Sequence, residues 1–207
     1  MAQEWDSQVE HLKQSDMHFT SLSNTAMDNP LGEASARIED VMEYLMTDTV
    51  MFRNPDYGLD FTELEDEVWN PIIERFEARH GVTIPTTTGL HAPEVTDETV
   101  AAIRKHLLAP TLPGKDAEII TVSDGWTLSG FEFVITTAKS MVIACDLIDG
   151  NISPEEAAMA ARLETVFQTR RFGEVEWAHN MEEHDTTERL AAAALFARQC
   201  MYKEIRA

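Results

Sequence analysis

The feature that most limits how this chain can fold is the apolar run from Phe131 to Ile148, charged only at Glu132, Lys139 and Asp146. A bilayer span needs an uncharged stretch of about 20 residues, so the run does not cross a membrane. It predicts a buried core helix over Leu128 to Ile148, ended by Gly150, which the rest of the chain has to cover. With 207 residues of 43% hydrophobic and 8% aromatic content, there is enough chain to do so. A protein of this size buries roughly 70% of the surface that its unfolded form exposes.

The covering segments read as helices. Ala2 to Gln14 is a polar helix with Trp5, Val9 and Leu12 on one stripe, Trp5 being its apolar anchor. Asn29 as N-cap and Pro30 at the first helical position open a second helix bearing Ile38, Val41, Met42 and Leu45. Thr49 to Asn54 predicts a short extended piece, closed before Pro55. Asp56 to Glu67 holds six acids and no base, interleaved with Leu59, Phe61 and Leu64, an acidic amphipathic helix.

At Trp69-Asn-Pro71 a helix restarts, with Trp69 as a structural anchor, and runs to His80 before Gly81. After a loop from Val82 to Pro93, Thr96 caps a helix carrying Val100, Ile103, Leu107 and Leu108. Pro110 to Asp124 receives no assignment. Ser153-Pro-Glu-Glu156 is a capping box whose helix runs to about Phe172 and Gly173, and Asp185 with Glu188 opens the last helix. The expected fold is therefore all-α: one helical domain over 1–207, of about seven helices and at most one short extended segment. Its parts are N-terminal helices and a connecting segment at 1–54, acidic helices at 56–109, and the core and C-terminal helices at 124–207.

Charge excludes some partners. Against 37 acidic residues stand 16 basic ones, a formal net charge of -21 that repels phosphate and anionic lipid, so neither nucleic acid nor membrane insertion is expected. The same field speeds encounter with a basic protein surface. Cys145 and Cys200 lie apart in apolar stretches, which suggests neither a zinc site nor a disulfide framework. The first eight residues carry two acids and no apolar core, unlike a secretory signal or an Arg-rich transit peptide.

Chemistry has little local support. Glu77 with His80 and Glu176 with His179 have the Glu-x-x-His spacing of di-iron bundles, yet His80 stands at a helix end amid charged neighbours. There is no phosphate-binding glycine loop and no nucleophile elbow. No catalytic residue, metal or cofactor is assigned. The segment Arg162 to His179 is the densest in unusual residues: Leu163, Val166, Phe167 and Arg170 form one face, Glu164, Gln168 and Arg171 another. Glu164, Gln168, Glu174, Glu176 and His179 then read as one polar surface beside the apolar Trp177, either a partner-binding face or a solvated one paired with Arg162, Arg170 or Arg171.

The same residues carry a family resemblance. Glu4-Trp-Asp-Ser-Gln8, Met17-His-Phe-Thr-Ser-Leu, Asn24-Thr, Asp28-Asn-Pro30, Tyr44-Leu-Met-Thr-Asp-Thr49 and Phe52-Arg53 follow one another as family motifs do. Trp69-Asn-Pro71, with Asn70 in place of the usual Asp, Lys139-Ser140, Ser153 to Glu156, Arg162-Leu-Glu164, Gln168 and Phe172-Gly-Glu-Val-Glu-Trp-Ala-His179 complete the series. The chain resembles the ATP12 assembly chaperones of the F1 sector of mitochondrial ATP synthase.

That resemblance implies a helical domain that follows a small β-rich domain in the family, and the chain is expected to carry only the helical part. It implies a non-catalytic protein of the mitochondrial matrix that holds the unassembled F1 α subunit until β replaces it, with other ATP synthase subunits as further contacts. A permanent structural subunit of ATP synthase or another mitochondrial complex, derived from a truncated chaperone, is the second reading. A di-iron enzyme is the third.

Overall fold

The computed structural model describes residues 1–29, 34–108, 125–175 and 177–204. Among them are ten α-helices and three short 3-10 turns, and the only β contact is a parallel bridge of Phe52 with Thr87. The all-α expectation holds, with more helices than the apolar periodicity suggested.

At the centre lie α6 (Gly125–Ala138) and α7 (Met141–Asp149). Every side chain from Met141 to Ile148 is buried, as a helix hydrophobic all round must be. The single helix expected over 128–148 is in fact two. Lys139 takes a left-handed φ of 52°, and Ser140 caps α7 by accepting the amide of Ile143 at 3.0 Å. The apolar period carries across this break because both halves are buried, so periodicity alone does not reveal it.

The cover is built from α2 (His18–Asp28), α3 (Ala34–Met46), α4 (Leu59–His80), α5 (Asp97–Leu108) and α8 (Pro154–Ala161), with the long α10 (Ala178–Glu204) lying along α6. The α6–α10 crossing is close. A Cβ on Gly130 would stand 2.9 Å from both the Cβ and the backbone nitrogen of Ala197. Small residues therefore set this distance.

Several charged groups buried between the helices are paired. Arg37, 2% exposed, binds Glu132 through two bonds of 2.6 and 2.9 Å and donates to Ser129. Arg75 holds the buried Asp146 in the same forked manner, and Arg79 pairs with Asp149. Arg198 of α10 donates to the Leu147 and Ile148 carbonyls in the last turn of α7. Fully buried Asp48 accepts the amides of Val50 and Val142, which ties the Thr49–Met51 turn to the start of α7.

Local punctuation differs from the sequence reading in several further places, and the extended piece expected from Thr49 to Asn54 starts as the 3-10 turn Thr49–Met51. The first helix, α1, is only Ala2–Asp6, and no residue in it is buried. Trp5 is 51% exposed and Val9 92%, so Trp5 is not an anchor. Glu4 ties this end down instead, accepting from the amides of Phe19 and Thr20 at 2.7 and 2.9 Å and from the Thr20 hydroxyl at 2.7 Å. Burial pushes its carboxyl up, but these bonds together hold it below its ordinary value. A five-residue helix buries too little for its stripe to matter.

Asn29 ends α2 in the left-handed conformation at φ 40° rather than opening α3, and Pro30 lies outside the described residues. Pro71 does not restart a helix: α4 runs unbroken through it from Leu59 to His80. The helix opened by Ser153 stops at Ala161, and the last helix starts at Ala178 rather than at Asp185. The unassigned stretch from Pro110 to Asp124 falls outside the described residues.

Candidate surface site at the turn between α9 and α10

Helix α9 (Leu163–Phe172) follows α8 after the single residue Arg162. The 3-10 turn Pro55–Tyr57 brings Tyr57 beside it, set between Pro55 and Gly58 with its φ of 95°. Tyr57 and Phe61 meet edge to face at 5.3 Å, and Phe61 packs on Phe167 at 4.8 Å. This aromatic set seats α9 on the body.

On the outer side of that seat, three polar groups close a triangle. The Tyr57 hydroxyl donates to Glu164 at 2.6 Å, while Gln168 donates to the Tyr57 oxygen at 2.7 Å and to Glu164 at 3.0 Å. The Glu164 carboxylate raises the Tyr57 pKa, because a phenol that donates to an anion resists losing its proton. Glu164 and Gln168 thus stand together as their spacing predicts, but their partner is a tyrosine from another element. Sequence reading missed Tyr57. Its one signal was the Asn54-Pro55 turn, which says nothing of what the turn faces.

Of the three arginines considered as internal partners for the acids, Arg162 binds Glu182 at 3.3 Å and the His179 carbonyl at 3.3 Å, and Arg171 donates to the Tyr57 carbonyl at 3.1 Å. His179 fixes the start of α10. Its Nδ1 accepts from the Val175 amide and lies 3.3 Å from the Thr169 hydroxyl. Beyond it, Trp177 is 74% exposed in a left-handed conformation with φ 72°. Glu174 is exposed, and Glu176 lies outside the described residues. Phe172, Val175 and Met181 share Trp177's exposure, a feature that the sequence reading did not single out.

Trp69 sits deep in the body, its Nε1 donating to the Ala160 carbonyl at 2.9 Å and its ring under the Arg53 guanidinium. Arg53 also donates to Asn70 at 2.7 Å, so the residue that departs from the family motif is used here as an acceptor.

The described Glu-x-x-His residues serve the fold. Glu77 accepts the Ile84 amide at 2.7 Å, and His80 is buried with its Nδ1 2.9 Å from that of His106. Burial, with Arg79 nearby, pushes His80 down to about 4, so its imidazole is neutral. Burial likewise pushes the Cys145 thiol up to about 12, which suppresses the thiolate that a nucleophile needs. Among the described residues no group of three His, Cys, Asp or Glu side chains could hold a metal, and no helix is long and apolar enough to cross a membrane.

The arrangement defines an all-helical domain whose distinctive side chains lie on an exposed turn rather than in a cleft. Comparison with known proteins shows what it is similar to. Residues 1–77 match the family model described as ATP12 chaperone protein. The mitochondrial protein atp12 of Schizosaccharomyces pombe is 28% identical over 96% of the chain and 67% of its own length. The mitochondrial protein ATP12 of Saccharomyces cerevisiae is 23% identical over 76% of the chain and 52% of its own length.

The chain thus spans about two thirds of one curated relative and about half of the other. In fold, it superimposes on Atp12 from Paracoccus denitrificans with TM-score 0.76, covering 95% of the chain and 78% of that structure at 18% identity. It also superimposes on the Atu1473 protein of Agrobacterium tumefaciens with TM-score 0.78, covering 95% of the chain and 68% of that structure at 21% identity. The chain is thus similar in sequence to the mitochondrial ATP12 proteins of two yeasts and shares the fold of bacterial Atp12.

Proposed function

We propose that this protein is an assembly chaperone of the mitochondrial matrix that binds the unassembled α subunit of F1-ATPase and shields its β-contacting surface. The partner-binding face is the α9–α10 turn with Glu164, Gln168, Glu174, Glu176, Trp177 and His179. Its support is the exposure of Trp177: a large aromatic held 74% in solvent at a turn that its neighbours fix by hydrogen bonds.

A net charge of -21 adds a fast, reversible encounter with a partner whose docking face is basic. Nothing in this role requires turnover or a cofactor. Isolated F1 α subunit, presented to the purified protein on a matrix, tests it. The parent is expected to capture α, and Glu164→Lys to capture less at low salt while melting at nearly the parent temperature, because the Glu164–Tyr57 bond is at the surface. Capture of β in preference to α contradicts the proposal. Parallel loss of melting temperature and capture makes Glu164 a structural residue.

A further inference from the structure

The start of α10 is exposed almost all round from Asn180 to Asp185. Together with the turn before it, this stretch mixes apolar and acidic residues. Phe172, Val175, Trp177 and Met181 are between 62% and 74% exposed within ten consecutive residues. From Phe172 to Glu188 the sequence holds six acids and not one Lys or Arg. Glu182 and Glu183 are 59% and 68% exposed.

The arginines nearby are largely engaged already. Arg162, its side chain 9% exposed, pairs with Glu182; Arg171 bonds the Tyr57 carbonyl and lies over the Phe172 ring; Arg189 pairs with Asp185. Arg170 is exposed on α9. The turn therefore offers apolar contact inside a predominantly negative rim.

Exposing this much apolar surface costs a free protein about 25 cal/mol per Å², so a partner that covers it recovers that free energy. The rim selects which partner. A second copy would bring the same acidic strip against itself, whereas an amphipathic segment with apolar residues flanked by Lys and Arg matches both features. Resting on the chaperone reading above, the geometry points to the strip from Phe172 to Asp185 as the docking site for a basic amphipathic segment of the client protein.

The test uses the full chain and two short helical peptides that share a leucine stripe, one flanked by lysine and arginine and the other by glutamate. Binding is followed by peptide fluorescence anisotropy across a salt series. The basic peptide is expected to bind and to weaken steeply with salt, because exposed charges are screened beyond a Debye length of about 8 Å at physiological ionic strength. Trp177→Ser with Met181→Ser, and separately Glu174→Lys with Asp185→Lys, are each expected to weaken it about tenfold or more while melting like the parent, as exposed changes do.

Equal binding of both peptides, no effect of either double variant, or self-association of the protein through this strip overturns the inference. Capture of isolated F1 α by the same samples separates it from the parent reading. Capture that survives in both double variants removes the strip but leaves the chaperone role; no capture by the parent protein removes the role, while the peptide result still decides the strip.

Discussion

Asp48 carries the sharpest prediction for a single residue. Burial pushes its carboxyl up to about 6, although Ser140 and the amides of Val142, Val50 and Met141 all bond it and pull the other way. Its ordinary value is 3.8, so the folded state favours the protonated form more than the unfolded chain does. The stabilising contribution of this group is therefore complete below about pH 4 and is lost as pH rises through about 6. Asp48→Asn removes that titration and sets an amide NH2 against an amide that needs an acceptor, which costs about 1–3 kcal/mol. Melting of parent and variant across pH should show a larger gap at acidic than at neutral pH, and a gap that widens toward neutral pH would contradict the account. At the surface, Glu164→Gln should lower the pKa of Tyr57 toward that of a free tyrosine, read by its ultraviolet absorbance in an alkaline titration. An unchanged titration would mean that the 2.6 Å bond does not persist in solution.

Among the elements, the α6–α10 contact and the cap of α8 are the ones whose changes have a computable sign. Gly130→Ala gains about 1 kcal/mol of helix propensity but drives a methyl against the backbone of Ala197, and overpacking of that kind costs about 1–3 kcal/mol. Because the near atom is main chain, which yields little, net destabilisation is expected in denaturant melts. A stabilised variant would place α10 farther from α6. Ser153→Ala loses the Oγ that accepts the Glu156 amide, and about 1 kcal/mol with it, while the residue 153 amide can still donate to Glu156; client capture is unaltered.

That cap was legible because its chemistry is local, Ser at N-cap and Glu at N3. The breaks at Lys139 and Arg162 were not. A lysine seldom takes a left-handed conformation unless tertiary packing on both sides demands it, and the residues around it were too uniformly apolar to mark a boundary. Pro71 misled in the opposite sense, since α4 passes through a residue that usually starts or kinks a helix.

For the molecule as a whole, the acidic charge and the helical class followed from composition and periodicity, and the likeness to ATP12 proteins from ordered motifs. The site was half legible. Glu164 with Gln168 came from spacing along one segment, whereas the Thr169–His179 contact was not foreseen and Tyr57 arrives from more than a hundred residues away with no local pattern to announce it. Trp5, at the stripe of a short exposed helix, shows the converse: periodicity marks a face but not whether anything covers it. The exposed turn, the acidic field and the likeness to ATP12 proteins all support the central proposal, that the protein keeps free F1 α soluble until its neighbour arrives. Diluting F1 α from denaturant into the purified protein, with light scattering and gel filtration as readouts, tests it most directly. The account predicts suppressed scattering, an equimolar soluble complex with α, and release of the protein when β is added; scattering as strong as without it, or a protein that stays bound in the assembled α and β, would contradict it.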